Sequence, residues 1–237
     1  MSATTPIVIL GAGGNSLGIV DAIAASNALS PGEPCYRIEG ILDDIDANQG
    51  RRVLGCNVIG RIAEAPRLSG CQFVNGISSI ASFRRIPEIV ARTGLPRERF
   101  ETIVHPRATI AASARVGRGS VILAGSVICP EAEVGDHVII LQNSTVNHHS
   151  VVGDFTTLSA GVTVLGYIEI GANAFIGGGT TIVPQLRIGA GAIVGAGSVV
   201  VRDLAAGRVY AGNPARELTA SKHALRSAPR EKGSDPN

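Results

Sequence analysis

Two histidines lie side by side at positions 148 and 149 of the 237-residue chain. An imidazole titrates near neutral pH, so a histidine can take a proton from an attacking group as a general base. The simpler interpretation is a solvated or hydrogen-bonded pair with no chemical role. A metal site shared by His148 and His149 is less favoured, because neighbouring side chains on a strand point to opposite faces. Val146 and Val152 already fill an interior, so at least one histidine is expected to face outward or to lie at a corner.

A glycine-rich turn near the N-terminus is the second place where chemistry is plausible. The aliphatic run at 7–10 is followed by GAGGNSLG at 11–18, which predicts a strand, a turn and the start of a helix. The bare N–H groups of Gly13 and Gly14 could bind a pyrophosphate at that helix N-terminus. Ser16 stands where the third glycine of a dinucleotide fingerprint belongs, so the motif alone is weak evidence for NAD.

The elements that carry these residues change character near residue 102. Before it, strand and helix patterns alternate, which predicts a small parallel α/β sheet. From Val104 to Val200, every sixth residue is Val, Ile or Leu, at 17 positions without interruption. This period predicts a solenoid in which three six-residue units form one coil, so that each large aliphatic residue stacks on the one 18 residues later. The predicted N-terminal elements are strands at 7–10, 36–42 and 72–74, helices at 17–25 and 83–92, and a short connection at 58–65.

The repeat resembles the left-handed β-helix of the hexapeptide-repeat acyltransferases. The resemblance implies an α/β Rossmann-like domain at 1–101 and an all-β left-handed parallel β-helix at 102–203. Residues 204–221 would form a C-terminal segment on the CoA side, and the polar residues 222–237 a disordered tail. Carbonic anhydrases also use this solenoid, but the HxxxxH spacing of their zinc ligands is missing here, because the fifth residues after His148 and His149 are Gly153 and Asp154. We therefore expect no metal.

The segment around His148 is similar to the active-site strand of nucleotide-sugar N-acetyltransferases and sialic-acid O-acetyltransferases. That similarity implies acyl transfer from acetyl-CoA, with His148 as the general base. Relatives carry an acidic residue directly after the base, where this chain has His149, and often another before it, where this chain has Asn147. A backbone carbonyl or a residue of another chain would then have to orient the base. The implied cofactor-binding residues are Thr157, Gly166, Gly178, Ala196 and Arg216, with the backbone N–H of Gly166 as a candidate oxyanion donor.

The N-terminal motifs resemble the sugar-nucleotide-binding domain of the same family. Asn15 stands where relatives often carry histidine, and the pair Asp43 and Asp44 corresponds to a D-D motif. The two aspartates could accept hydrogen bonds from a ribose or a base, or could simply cap their own loop. The implied substrate-binding residues are Gly13, Gly14, Asn15, Asp43, Asp44 and Gly76.

Composition limits the classes of partner. The chain has 21 basic and 19 acidic residues, a balance that excludes nucleic acid or a membrane surface as the main partner. Aliphatic richness excludes an intrinsically disordered chain. The four cysteines lack CxxC spacing and predict free thiols in a reducing compartment. No signal peptide or membrane-spanning run is apparent, so a cytoplasmic protein is expected. Relatives are trimers with active sites between neighbouring helices, and we expect a homotrimer.

The combined expectation is an acetyl-CoA-dependent N-acetyltransferase acting on a nucleotide-linked amino sugar. Two alternatives stay open. One is an O-acetyltransferase of sialic acid or another sugar, and the other is a non-catalytic solenoid that binds a sugar nucleotide. The sequence leaves open which nucleotide and which sugar bind, and whether an amine or a hydroxyl is acetylated.

Overall fold

A computed structural model describes residues 4–30, 32 and 34–218 of the chain. The first hundred residues form one five-stranded sheet with two α-helices. In strand order β3-β4-β2-β1-β5, all neighbours are parallel except the β3–β4 hairpin. The aliphatic residues Ile7 to Leu10 are completely buried at the centre of this sheet, as the apolar run predicts. The elements are β1 (Thr5–Leu10), α1 (Gly14–Ala28), β2 (Tyr36–Leu42), β3 (Arg52–Val53), β4 (Cys56–Gly60), β5 (Gln72–Asn75) and α2 (Ile86–Ala91), with 3-10 turns at Asp46–Asn48, Ile62–Arg67, Phe83–Arg85 and Arg97–Arg99.

One element of this sheet differs from the prediction. The segment 58–65, which we interpreted as a short connection, begins in strand β4 and continues into a 3-10 turn. The strand forms because Val58 is buried and pairs in parallel with Ile41 of β2. A short strand of mixed polar and apolar residues shows no clear alternation in its sequence, so its pairing depends on the rest of the fold.

From β6 to β22 the chain is a three-sided coil of two-residue strands, and strands 18 residues apart pair in parallel. Its sheets are mostly parallel and consistent with the predicted left-handed β-helix. The strands are β6 (Ile103–Val104), β7 (Thr109–Ile110), β8 (Arg115–Val116), β9 (Val121–Ile122), β10 (Val127–Ile128), β11 (Glu133–Val134), β12 (Ile139–Ile140), β13 (Thr145–Val146), β14 (Val151–Val152), β15 (Thr157–Leu158), β16 (Thr163–Val164), β17 (Glu169–Ile170), β18 (Phe175–Ile176), β19 (Thr181–Ile182), β20 (Arg187–Ile188), β21 (Ile193–Val194), β22 (Val199–Val200), β23 (Val209–Ala211) and β24 (Arg216–Glu217).

The strands divide into three sheets, one on each side of the coil. The first sheet contains β7, β10, β13, β16, β19 and β22, and the second contains β8, β11, β14, β17 and β20. The third contains β6, β9, β12, β15, β18, β21, β23 and β24. The predicted stacking of aliphatic residues forms the interior, where residues such as Val146, Val164 and Ile182 are completely buried. Burial of this continuous column is the main force that holds the coils together.

Glycines serve two separate purposes in the coil. Some occupy the second turn position with positive φ, as Gly179 does at φ 68°, where glycine has no steric penalty. Others follow a strand and allow adjacent coils to approach. At Gly171, for example, an added Cβ would lie 2.5 Å from the backbone N of Ala190. The glycine richness of the sequence therefore reflects close packing between coils as well as tight turns.

The N-terminal domain covers the outer face of the third sheet. Phe83 packs on Phe175 with ring centroids 5.6 Å apart, and the outward side chains Val121 and Ile139 are buried beneath the domain. Helix α1 approaches closely because Gly18 has no side chain, and a Cβ there would lie 2.7 Å from Leu123. The two parts of the chain thus share an apolar interface.

The C-terminal end of the described chain extends this third sheet. Strand β23 pairs in parallel with β21, and β24 folds back on it in antiparallel fashion. The expected tail at 222–237 lies outside the described residues. Within the described part of the chain, no helix combines the length and apolar character needed to cross a bilayer.

Candidate active site

His148 and His149 form the two-residue turn between β13 and β14, at the edge where the first and second sheets meet. We call the turns at 130–131, 148–149, 166–167 and 184–185 the histidine edge. Both imidazoles are exposed, and their Nδ1 atoms lie 3.2 Å apart in hydrogen-bond contact. The expectation that the two side chains diverge is wrong, because they lie in a turn and not on a strand. His149 takes φ 58°, which brings its ring back toward His148.

Gly166 lies directly beneath the His148 ring, one coil further along the histidine edge. A Cβ added to Gly166 would lie 2.7 Å from Cε1 and 2.9 Å from Nε2 of His148. Among the described residues, none accepts a hydrogen bond from the backbone N–H of Gly166. The geometry therefore places Nε2 of His148, a potential proton acceptor, over Gly166, the residue that carries this N–H donor. Those are the two groups that an acyl-transfer site needs around its reacting carbonyl.

Tyr167 completes this cluster, and it was absent from the residues predicted from the sequence. Its ring stacks on His149 with centroids 4.7 Å apart and planes 16° apart, and it meets the edge of the His148 ring at 5.2 Å. Its backbone N–H donates to the carbonyl of His148 at 3.1 Å. Tyr167 follows His149 by 18 residues, so the predicted coil length was the signal that could have found it.

The predicted cofactor-binding residues are distributed over several parts of the coil. Gly178 and Ala196 occupy turns between the third and first sheets, at 160–161, 178–179 and 196–197, which we call the glycine edge. Its turn residues have almost no side chains. Arg216 lies exposed on β24, and its guanidinium donates to the carbonyl of Ala215.

Thr157 differs from these residues because it is buried between the two domains. It is 2% exposed, and its hydroxyl lies 2.5 Å from the hydroxyl of Ser78. The side-chain amide of Asn15 donates to the carbonyl of the same Ser78. The structure therefore joins a predicted substrate residue and a predicted cofactor residue through one loop of the N-terminal domain.

The remaining predicted substrate residues surround the N-terminus of α1. Gly13 and Gly14 are exposed there, and no side chain caps the helix. Gly76 is buried against α1, where an added Cβ would collide with a helix side chain. Gly13 and Gly14 place backbone N–H groups at the exposed helix N-terminus next to Asn15, in the position that favours an anionic ligand.

The two aspartates have partners inside the chain. The carboxylate of Asp43 accepts hydrogen bonds from the backbone N–H groups of Ala12 and Ile45, each at 2.7 Å. Asp44 forms an ion pair with Arg92. The loop-capping interpretation left open by the sequence is therefore the one that their contacts in this chain support.

His137, which like His105 is buried in the coil, has a different environment. Its ring stacks on Phe155 at 5.0 Å and meets the edge of Phe100 at 4.6 Å. Burial lowers the pKa of His137, and its Nδ1 has no hydrogen-bond partner among the described residues. We assign it to the packing between the domains. In the described part of the chain, no group of three or more His, Cys, Asp or Glu side chains is placed to hold a metal ion.

Comparison with known proteins identifies the family. The model of the bacterial transferase hexapeptide (six repeats) matches residues 167–202. The acetyltransferase domain of PglB from Neisseria gonorrhoeae, solved with acetyl coenzyme A, is 30% identical with a TM-score of 0.76, and the alignment covers 91% of this chain and 100% of that domain. The chain belongs to the hexapeptide-repeat acetyltransferases.

Other solved structures match over a similar length. PerB from Caulobacter crescentus, solved with CoA and GDP-perosamine, is 29% identical with a TM-score of 0.77, and the alignment covers 92% of this chain and 99% of PerB. WeeI from Acinetobacter baumannii is 23% identical with a TM-score of 0.75, over 91% of this chain and 100% of WeeI, and shares the fold. No curated protein matches the sequence.

Proposed function

We propose that this acetyltransferase transfers the acetyl group of acetyl-CoA to the amine of a nucleotide-linked amino sugar. The observation that carries the proposal is the placement of His148 Nε2 over Gly166, whose backbone N–H has no partner among the described residues. The comparisons support the substrates, because the PglB domain is described with acetyl coenzyme A and PerB with CoA and GDP-perosamine.

In the proposed mechanism, the sugar amine attacks the thioester carbonyl carbon while His148 Nε2 takes a proton from the amine. The new C–N bond produces a tetrahedral oxyanion, to which the Gly166 N–H donates a hydrogen bond. Collapse of this intermediate breaks the C–S bond, and the proton on His148 passes to the departing thiolate. The products are the N-acetylated sugar nucleotide and CoA.

We infer that the cofactor lies along the glycine edge, against Gly178 and Ala196. Turns without side chains allow an extended pantetheine chain to approach the backbone. Arg216 carries a charge that can pair with a phosphate of CoA. Thr157 is proposed as a further contact, although its hydroxyl already lies in hydrogen-bond contact with Ser78.

We infer that the N-terminal sheet is a Rossmann-like domain of about residues 1–101 that binds the nucleotide. The proposed contacts are the N–H groups of Gly13 and Gly14, with Asn15 beside them. In this proposal Asp43 and Asp44 do not contact the nucleotide and instead fix the loops that surround the pocket. Gly76 permits the close packing of β5 on α1. The β-helix at 102–203 and the segment that follows form the acetyl-transfer part.

A homotrimer supplies what one chain lacks. The histidine edge is opposite the third sheet in the three-sided coil, whereas the N-terminal domain covers that third sheet. The base of one subunit is therefore remote from its own nucleotide domain. In a trimer with sites between neighbouring coils, His148 of one subunit would face the nucleotide domain and glycine edge of the next.

The test is CoA release by the purified full chain with acetyl-CoA and a panel of GDP-, UDP- and dTDP-linked 4-amino sugars. Each amino sugar is matched by its 4-hydroxy counterpart. We expect turnover with amines only, and a loss of about 10²–10⁴-fold in kcat in His148→Ala. Arg118→Ala, at an exposed turn on another edge, is the control and should keep wild-type rates.

Three outcomes would contradict the proposal. Faster turnover of hydroxyl acceptors would indicate an O-acetyltransferase. Binding of sugar nucleotides without any turnover would indicate a non-catalytic protein. Unchanged kcat in His148→Ala would remove His148 as the base.

A further inference from the structure

The contact between the two exposed histidines raises the question of which ring carries the shared proton. Their Nδ1 atoms lie 3.2 Å apart, so one nitrogen must donate and the other must accept. If His148 carries the proton on Nδ1, its Nε2 keeps a free lone pair. If His149 carries it, His148 holds its own proton on Nε2 and that nitrogen cannot act as a base. The tautomer of His148 is therefore fixed by its neighbour.

The side of His148 that faces the proposed reaction is the Nε2 side. Nε2 and Cε1 are the ring atoms that lie over Gly166, while Nδ1 is directed to His149. His149 is itself held from two directions. Its φ of 58° fixes the backbone, and its ring stacks on Tyr167 with planes 16° apart. Tyr167 is in turn bonded through its backbone N–H to the carbonyl of His148.

We propose that His149 and Tyr167 are positioning residues, in which the neutral His149 Nδ1 accepts a hydrogen bond from His148 Nδ1–H and Tyr167 fixes the His149 ring. This inference rests on the proposed function, since it names the groups that prepare His148 as the base. In this arrangement the neutral imidazole of His149 orients His148, in place of the carboxylate that relatives carry at this position. The chain supplies this orienter itself, so no residue of another subunit is required for it.

A neutral acceptor has a consequence that a carboxylate would lack. A proton added to His149 occupies Nδ1, which then donates to His148 and reverses the hydrogen bond. Proton uptake by either ring therefore disables Nε2. The groups that face His149 are the Tyr167 ring and, along the adjoining groove of the second sheet, Glu169 and Arg187, which form an ion pair at 3.3 Å. Glu131 holds the same turn position one coil earlier.

Two substitutions separate the hydrogen bond from the ring. His149→Asn places Oδ1 where Nδ1 was, so it keeps an acceptor but cannot titrate. His149→Phe keeps a ring to stack on Tyr167 but has no acceptor. Both should fold, since Asn143 takes φ 58° and Phe155 takes φ 60° at equivalent turn positions of this chain. Thermal unfolding of each variant checks this directly.

We expect His149→Phe to lower kcat about 10- to 100-fold with little change in KM, a smaller loss than removal of the whole base. His149→Asn should keep kcat within about threefold at pH 8. Tyr167→Phe should match the wild type, and Tyr167→Ala should lower kcat at constant KM.

A measurement without turnover reads the tautomer itself. The full chain with ¹⁵N-labelled histidine should show His148 protonated on Nδ1 in the wild type and in His149→Asn, but not in His149→Phe. A wild-type His148 protonated on Nε2 overturns the proposal, as does a His149→Phe enzyme with wild-type kcat and pH profile. If no amino sugar is acetylated by the wild type, the proposed function fails, while the spectrum still decides the arrangement of the pair.

Discussion

Replacement of Gly166 by alanine tests whether the position of the His148 ring matters for turnover. The added methyl carbon would lie 2.7 Å from Cε1 and 2.9 Å from Nε2, whereas ordinary contact begins at 3.4 Å. The ring must therefore move by about 0.7 Å to relieve the closest contact. His148 is exposed and can swing outward, so the fold accommodates the methyl group while the base is displaced.

The expected loss follows from the size of that movement. A misplacement near 1 Å at a reacting group costs about a hundredfold in rate. We expect kcat for CoA release in Gly166→Ala to fall about 10- to 100-fold, with little change in KM for the sugar nucleotide. The free energy of unfolding should change by less than about 1 kcal/mol, because the exposed imidazole moves and no packed group does.

Gly171→Ala is the matched control for this substitution. Its Cβ would meet the backbone N of Ala190 at 2.5 Å, and backbone within a sheet cannot swing away. We expect a loss of about 1–3 kcal/mol in the free energy of unfolding, as for other overpacked sites, with normal kcat per folded molecule. Urea titration and steady-state kinetics measure the two quantities. Wild-type kcat in Gly166→Ala, or an equal loss of stability in both variants, would refute the assigned position of the base.

Two further substitutions address the buried contacts between the domains. Burial lowers the pKa of His137, so the unfolded chain binds a proton at this histidine more tightly than the folded chain does. The free energy of unfolding should therefore decline as the pH falls below about 6.5. His137→Asn should weaken this dependence of stability on pH. It should also lower the free energy of unfolding by about 1–3 kcal/mol at pH 8, because the ring contacts with Phe100 and Phe155 are lost, and urea titrations at several pH values measure both effects. If the variant lost stability with falling pH as steeply as the wild type, another group would be the source of the acid sensitivity. Thr157→Val removes the hydroxyl contact with Ser78 and should lower stability by about 1 kcal/mol. Its KM for acetyl-CoA should stay unchanged if Thr157 acts only between the domains, and a severalfold rise would favour the predicted cofactor contact.

The fold of the coil could be predicted from the sequence because its signal is redundant. At every sixth residue an inward position repeats one requirement, an aliphatic side chain, and a period of six excludes the common alternatives. The sequence of strand β4 has no repeated pattern of this kind, and the strand is recognised only from its pairing with β2. The carboxylates of Asp43 and Asp44 illustrate a second limit, since a D-D pair after a strand looks the same whether it meets a ligand or its own loop.

The histidine pair shows what the coil register adds to residue identity. Sequence reasoning placed the two rings on opposite faces by the alternation of a strand, whereas the coil places both in a turn. A turn of two residues with one positive φ directs consecutive side chains toward each other. The 18-residue coil then brings Tyr167 under His149 and Gly166 under His148. The period that predicted the fold therefore also contained these contacts, since residues one coil apart at an edge are neighbours.

The same register limits how this fold can build a catalytic site. Between residues 103 and 200 the strands are joined by short turns, and none of these turns is long enough to form a binding loop. Chemistry on the coil must therefore come from turn side chains, from backbone groups exposed by glycine, and from surfaces brought by another domain or subunit. In the proposed site His148 is such a turn side chain and Gly166 is a glycine whose backbone lies beneath it, while the N-terminal sheet covers the opposite face of its own coil. The proposed base and the proposed nucleotide site would act on one substrate only if coils associate, which is the physical reason to propose a homotrimer.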